Sequence, residues 1–280
     1  MRIGGRAACL AVVAALVSAT PAAADYVALG DSYAAGPLIP LQLAPYGCLK
    51  SSNNYAHLAA PKLGQPAFRD VTCSGAETED MTAPQGVTPG PNPPQFDALD
   101  ADTKIVTFNI GGNDIGFTGI AENCLSTTPI GTFCKGDYVH DGRDEISERI
   151  AATAPKVAAV IQGIHARAPQ ARVFAVNYAA IFPEHGFLGC WPQLPVASGD
   201  IAYLREKQKE LNAMIATEAA ANGAGLIDWY AASIGHDACK PPGIRWVEPL
   251  VPANAAAPAH PNLLGMIGAS KLVVAAATAP

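Results

Sequence analysis

Four short polar clusters contain the residue types that acyl transfer requires. They are Gly30-Asp31-Ser32-Tyr33, Cys73-Ser74-Gly75-Ala76, Gly111-Gly112-Asn113-Asp114 and His260-Pro261-Asn262. Acyl transfer needs a nucleophile, a base that takes its proton, and N–H donors aimed at the oxyanion that forms on the attacked carbonyl. A serine, a histidine, a glycine amide and an asparagine amide can fill these roles. The clusters therefore predict an esterase-type site with Ser32 as nucleophile and His260 as base.

Each of these residues also has an ordinary structural role to weigh against catalysis. A serine after an aspartate-containing turn commonly caps a helix, and an asparagine beside glycines commonly belongs to a turn. Taken together, the clusters favour catalysis, with the backbone amides of Ser32 and Gly75 and the side-chain amide of Asn113 as oxyanion donors. We interpret Asp31 and Asp114 as structural acids that bind loop N–H groups.

The clusters need a scaffold that brings distant parts of the chain to one place. Short β-rich runs predict strands, and the segments between them predict helices. The predicted strands are Tyr26–Gly30, Phe68–Thr72, Lys104–Asn109, Arg172–Asn177 and Gly225–Trp229. This alternation implies right-handed crossovers and a parallel sheet covered on both faces, which is a three-layer α/β/α sandwich. Ligands bind outside the carboxyl ends of such strands, where the first three clusters follow directly.

Three segments carry helical patterns. Apolar residues of Ile146–Ile164 recur at spacings of three and four, which predicts an amphipathic helix. A second helix is predicted over about Asp200–Asn222, with Asp200 as its N-cap and Gly223 as the residue that ends it. A third is predicted from near Pro261 into the C-terminal Ala/Val stretch, so that the histidine cluster stands at its entrance.

In their order and strand context, the four clusters resemble the sequence blocks of the SGNH (GDSL) hydrolase family. Ser32, Gly75, Asn113 and His260 occupy the four block positions, and the resemblance covers essentially the whole chain after residue 24. It implies a flavodoxin-like fold, with a five-stranded parallel sheet in the order 2-1-3-4-5. The six later cysteines and the His-Pro-Asn ending look most like the secreted actinobacterial esterase/lipase branch, which includes phospholipase A1-like members.

The chain departs from the family pattern at one position. The family's D-x-x-H block would place an acid three residues before His260, where this chain has Ala257. We therefore expect a Ser32–His260 dyad, in which the carbonyl of Ala257 orients the imidazole. Asp228 and Glu248 are the rival candidates for a carboxylate partner brought in by folding.

Cysteine usage predicts disulfide bonds. Apart from Cys9, the chain has six cysteines, Cys48, Cys73, Cys124, Cys134, Cys190 and Cys239. An even number in an exported chain predicts three bridges, although six cysteines allow 15 pairings. The resemblance to the actinobacterial branch implies the sequential pairs Cys48–Cys73, Cys124–Cys134 and Cys190–Cys239. No C-x-x-C or H-E-x-x-H motif occurs, so we expect no metal site and no cofactor.

Residues 1–24 predict a secretory signal peptide. Arg2 and Arg6 precede the apolar run Ala7–Val17, and Ala22-Ala23-Ala24 forms an A-x-A cleavage site. An uncleaved anchor is the alternative interpretation. Cleavage removes two of the 18 basic residues and none of the 24 acidic ones, which leaves a formal net charge of 16 − 24 = −8. The remainder, residues 25–280, is interpreted as one secreted catalytic domain.

The composition excludes several classes of protein. With 50% hydrophobic and 15% charged residues, the chain can bury a core and is neither disordered nor a coiled coil. It has no dense Lys/Arg run, so nucleic-acid binding is excluded. No segment after the signal peptide reaches the roughly 18 unbroken apolar residues of a membrane span.

The sequence thus predicts a secreted serine esterase or lipase that acts as a monomer on small-molecule or lipid esters. An acyltransferase that uses the same site with an alcohol acceptor is a second interpretation. A non-catalytic cell-envelope binding module that keeps the fold is a third. The substrate's acyl length depends on loops whose shapes the sequence leaves open, such as 84–94 and 183–199.

Overall fold

The computed structural model describes Met1 and residues 25–64, 67–186 and 190–279, built around one parallel sheet. The five central strands are β1 Tyr26–Gly30, β2 Phe68–Asp70, β3 Ile105–Asn109, β4 Arg172–Val176 and β5 Gly225–Ile227. Their order across the sheet is β2-β1-β3-β4-β5, so the predicted fold class and the order 2-1-3-4-5 are confirmed. The predicted signal peptide lies outside the described residues, apart from Met1.

The two strands at the centre of the site end side by side. β1 and β3 are buried along their whole length, as expected for parallel strands covered on both faces. Their register pairs Tyr26 with Ile105 and Gly30 with Asn109. Because the pairing runs to the last residue of both strands, the clusters that follow them begin at the same edge of the sheet.

Helices cover the sheet and pack against each other in pairs, α5 with α6 and α2 with α8. The helices are α1 Ser32–Ala35, α2 Tyr55–Ala59, α3 Phe117–Asn123, α4 Lys135–Tyr138, α5 Glu145–Arg167, α6 Ser198–Ala221, α7 Trp229–Ala232 and α8 Leu263–Thr278. Short 3-10 turns occupy Tyr46–Cys48, Ala60–Lys62, Thr78–Met81 and Gln95–Ala98. Two-residue strands pair Gln42–Leu43 with Lys50–Ser51 and Val139–His140 with Arg143–Asp144.

The start of α6 differs from the sequence prediction. The helix begins at Ser198 and its N-cap is Ala197, so the prediction of Asp200 as the cap is wrong. The Asp200 carboxylate is buried and instead accepts hydrogen bonds from the backbone amides of residues 133–135, at 2.7 to 3.3 Å. It therefore ties the loop before α4 to α6. Gly223 has φ +78° just after the helix, in keeping with its predicted role as the residue that ends it.

Three disulfides join the cysteines in the sequential order that the family resemblance implies, Cys48–Cys73, Cys124–Cys134 and Cys190–Cys239. The first holds the segment that precedes Gly75, and the second joins the end of α3 to the start of α4. Within the described ranges, no helix combines the length and apolar character needed to cross a membrane.

Candidate active site

Ser32 stands at the carboxyl end of β1, as the first residue of α1. Asp31 is the N-cap of this short helix and accepts a hydrogen bond from the Tyr33 amide at 2.9 Å. Gly30 allows the turn, because it has φ +138° and a Cβ there would lie 2.4 Å from the Asn109 carbonyl oxygen. The close approach of β1 to β3 thus needs glycine just before the Asp-Ser pair.

His260 contacts Ser32 directly. Its Nε2 lies 2.7 Å from the Ser32 Oγ, and its Nδ1 lies 2.7 Å from the carbonyl oxygen of Pro258. Since a carbonyl can only accept, Nδ1 carries the proton and donates to Pro258, while Nε2 is left to accept from the serine hydroxyl. This is the arrangement in which a neutral imidazole can act as a base toward Ser32.

The expectation that the Ala257 carbonyl orients the imidazole of His260 is wrong, because the carbonyl of Pro258 does so instead. The Ala257 carbonyl accepts the backbone N–H of His260 at 3.2 Å, which closes a turn, and the next carbonyl along, that of Pro258, faces the imidazole. The turn includes Ala259 in the left-handed region, with φ +59°. Tyr33 donates its hydroxyl proton to the Ala259 carbonyl at 2.7 Å, so the residue after Ser32 holds the residue before His260 in place.

Neither rival carboxylate bonds to the imidazole of His260, although the backbone N–H of Glu248 donates to the His260 carbonyl at 2.9 Å. Glu248 is fully buried and binds Arg245 through two hydrogen bonds of 3.0 and 2.6 Å. Burial alone would raise the pKa of Glu248, but the hydrogen bonds from Arg245, Asn254 and Asn262 lower it to about 2. Asp228 caps α7 through the Ala231 amide at 3.0 Å and accepts from Asn177. Both carboxylates are therefore engaged in structural contacts.

Neutralising either acid is expected to leave catalysis within a few-fold of the parent kcat. Removing an orienting aspartate from a serine protease triad lowers kcat by ~10⁴-fold. A triad that includes Asp228 or Glu248 would therefore show a loss of similar size in the corresponding variant. Asp228→Asn keeps a side chain that can still cap α7. Glu248→Gln should instead lower the free energy of unfolding by about 3 kcal/mol, because buried Arg245 loses its charged partner. The measurements are kcat on a short-chain ester and urea unfolding; a 10³-fold or greater loss of kcat in a folded variant would contradict the dyad.

The three residues expected to supply oxyanion donors, Ser32, Gly75 and Asn113, all line the opening at the catalytic cluster. The backbone amides of Ser32 and Gly75 take no part in the hydrogen bonds between described residues. Gly75 is exposed and has φ +80°, a conformation that glycine adopts without strain. The Asn113 side-chain amide donates one N–H to the Ala76 carbonyl at 2.8 Å, which fixes its orientation and leaves its second N–H for a ligand. The sequence-predicted donors are thus brought together around one opening.

The two aspartates of the clusters make structural contacts. Asp31 is buried and accepts a 2.5 Å hydrogen bond from the Tyr178 hydroxyl, which itself accepts from the Gly112 amide at 2.7 Å. Burial raises the pKa of Asp31 to about 7. Asp114 accepts from the amide and the hydroxyl of Thr78. Tyr178 joins the turn that contains Ser32 to the Gly112 loop. Sequence reasoning missed it, although it lies two residues after β4, at the same edge of the sheet as the clusters that follow β1 to β3.

An apolar cavity opens beside Ser32 and His260, with a volume of about 240 Å³. Its wall is formed by side chains from α3, α5, α6 and the segment after β4, among them Phe117, Ile120, Ile146, Ile181, Phe182 and Leu211. Within the described part of the chain, no group of three or more metal-ligating side chains is found. The arrangement can therefore hold an apolar group beside the Ser32 hydroxyl, the His260 imidazole and the three N–H groups.

The acid limb of the pH–rate profile is expected at a midpoint below the ordinary histidine value of ~6.5. Burial lowers the pKa of His260, and the hydrogen bond to the Pro258 carbonyl opposes this only in part. Since the base must be unprotonated, a lower pKa preserves activity further into the acid range. The check is kcat/KM against pH, with Asp31→Asn as a control in which that carboxyl no longer titrates. A midpoint of the acid limb above pH 7 would contradict this expectation and would indicate that a carboxylate lies near His260.

Comparison with known proteins gives consistent matches across the chain. The model of the GDSL-like Lipase/Acylhydrolase family matches residues 28–266. The protein named Lipase 2 of Streptomyces coelicolor is 42% identical over 260 residues, which are 90% of this chain and 85% of that protein.

Two solved structures resemble the fold closely. The extracellular lipase of Streptomyces rimosus has a TM-score of 0.75 at 27% identity, over 91% of this chain and 100% of that one. The phospholipase A1 of Streptomyces albidoflavus NA297 has a TM-score of 0.71 at 25% identity, over 92% of this chain and 100% of that one. The predicted family resemblance is thereby confirmed.

Proposed function

Since this chain belongs to the GDSL-like lipase/acylhydrolase family, we propose that it is a carboxylic ester hydrolase that works through an acyl-enzyme on Ser32, with His260 as general base. The observation that carries the proposal is the 2.7 Å contact between His260 Nε2 and Ser32 Oγ, with Nδ1 held by the Pro258 carbonyl. Lipase and esterase are the activities named for its relatives.

The reaction follows from the positions of these groups. As the Ser32 Oγ attacks the ester carbonyl carbon, its proton passes to His260 Nε2. The oxyanion of the tetrahedral intermediate accepts hydrogen bonds from the Ser32 and Gly75 amides and from Asn113, each such donor contributing roughly 3 kcal/mol in the transition state. His260 then gives the proton to the leaving alcohol, and Ser32 keeps the acyl group.

Deacylation repeats these steps with water. A water molecule loses a proton to His260 Nε2 and attacks the acyl carbon, and the same three donors stabilise the second intermediate. Collapse of this intermediate releases the carboxylic acid and returns the proton to Ser32. An alcohol in place of water would give transfer to a new ester by the same steps.

The apolar cavity supports lipid esters as substrates. Each buried methylene of an acyl chain is worth ~0.8 kcal/mol, so a cavity lined by Ile, Leu and Phe side chains favours an alkyl chain over a polar acyl group. Secretion is part of the proposal: the predicted signal peptide, the three disulfides and the extracellular relative from Streptomyces rimosus all support export.

The test uses the purified mature protein on p-nitrophenyl butyrate and on a phosphatidylcholine, with and without glycerol as acceptor. Release of p-nitrophenol with free acid as the main product supports a hydrolase. A glyceryl ester as the main product would show an acyltransferase, and no turnover of either substrate would favour the non-catalytic binding module. Addition of a chelator should leave the rate unchanged.

A further inference from the structure

The wall of the cavity beside Ser32 includes a lysine. Ile146 of α5 and Leu204, Lys207 and Leu211 of α6 are among the residues that line it. Apart from Asp31 and His260 at the catalytic end, Lys207 is the one ionisable side chain with a charge among the residues that line it. An ammonium group in the wall of an apolar cavity needs an explanation, because charges avoid such surroundings unless they are paired.

Lys207 is paired with two carboxylates where α5 and α6 meet. Its Nζ lies 2.9 Å from Asp144 Oδ2 and 2.8 Å from Glu210 Oε2, and it donates to the Ser147 hydroxyl at 2.5 Å. Asp144 also caps the first turn of α5, so the lysine is fixed to the start of that helix. Burial alone would lower the pKa of Lys207, but the hydrogen bonds with Glu210 and Asp144 raise it, which keeps the amine protonated.

The same side chain also lines a second groove. Thr132, Val139, Asp144 and Tyr203 line this groove together with Lys207. Lys207 therefore borders both spaces, and its position is held by the ion pairs rather than by packing alone.

We propose that Lys207 closes the far end of the acyl cavity and so limits the length of acyl chain that the enzyme accepts, an inference that rests on the proposed ester hydrolase function. Each methylene that enters the cavity should raise kcat/KM about fourfold, until the terminal methyl reaches the lysine. A longer chain would have to displace an ammonium bound to two carboxylates, so the rise stops there.

The experiment measures kcat/KM for p-nitrophenyl esters of even chain lengths from butanoate to hexadecanoate. Lys207→Ala opens the end of the cavity, whereas Lys207→Arg keeps a cation that can bind both carboxylates. Lys209→Ala is the matched control, because Lys209 lies on the same helix and pairs with Glu184 at 2.9 Å but does not line the cavity. For each variant, we compare kcat/KM between esters of different length. The folded fraction of the protein is the same for every ester, so it cancels from these ratios.

In Lys207→Ala, we compare kcat/KM for the ester two methylenes longer than the parent limit with kcat/KM for the ester at that limit. This ratio should rise about 15-fold. Lys207→Arg and Lys209→Ala should keep the parent limit. An unchanged limit in Lys207→Ala, or an equal loss at every length, would overturn the proposal. Should that variant not fold, Leu211→Phe fills the same end of the cavity, and an unshortened limit there would overturn it equally. Failure of the proposed function is distinct, because it would show as no ester turnover in the parent protein.

Discussion

Replacement of Ser32 by alanine is expected to lower kcat for ester hydrolysis by about 10⁶-fold and to leave the thermal unfolding midpoint nearly unchanged. The expected loss is large because Ser32 is the residue proposed to carry the acyl intermediate. Stability should be preserved because Asp31, not Ser32, caps α1, and the Ser32 hydroxyl bonds only to His260 among the described residues. The measurements are kcat on p-nitrophenyl butyrate and a thermal scan by circular dichroism.

Ser74→Ala is the matched control for Ser32→Ala. Ser74 borders the same opening, and its buried hydroxyl has no hydrogen-bond partner among the described residues. Its removal should change kcat by no more than a few-fold. If pure, folded Ser32→Ala kept more than a few per cent of the parent activity, the nucleophile would have to be another residue.

The second large effect is expected at His260. His260→Ala should also lower kcat by about 10⁶-fold, because the serine hydroxyl is a poor nucleophile without a base at hydrogen-bond distance. The Ser32→Ala/His260→Ala double variant should lose little more than either single variant, since residues that act as one unit are strongly non-additive. The measurement is kcat for the three variants on the same short-chain ester.

His140→Ala controls for the loss of a histidine as such. His140 is exposed and accordingly should be replaced with an effect of a few-fold at most. A loss below about 10²-fold in folded His260→Ala would mean that another group accepts the Ser32 proton. A double variant much less active than both single variants would mean that the two residues act separately.

The strands and the site residues could be predicted because both depend on local patterns. A parallel strand buried on both faces is typically a short, mainly apolar run, and β1 and β3, which are buried from end to end, fit this pattern. The residues just past such strands then lie at one edge of the sheet. That is why Ser32, Gly75 and Asn113 could be expected together from the sequence.

The carbonyl that orients His260 could not be predicted in this way. Whether Ala257 or Pro258 faces the imidazole depends on the dihedral angles of the turn, in particular on φ +59° at Ala259. Alanine rarely adopts this region, so nothing in the residue types indicated it. The turn is held by the Tyr33 hydroxyl, which comes from a part of the chain 226 positions away.

Long-range packing also determined the contacts of Asp200 and Lys207. Asp200 has the residue type and position of an N-cap, but the loop before α4 lies close enough to bind its carboxylate. Lys207 and the carboxylates around it belong to two helices whose relative placement sets the network. Such contacts depend on how the elements pack, which residue patterns within a single element do not reveal.

The hydrogen bond from His260 to the Pro258 carbonyl has a consequence for how this site can evolve. A carboxylate partner is encoded by one codon, and a single nucleotide change can delete it. Every amino acid contributes the same carbonyl, so no substitution at position 258 removes the acceptor itself. What must be conserved is the backbone conformation that points this carbonyl at the imidazole. That conformation depends on the residues that shape the turn, above all Tyr33 and Ala259. Position 258 can therefore drift, whereas selection acts on the tyrosine that holds the turn.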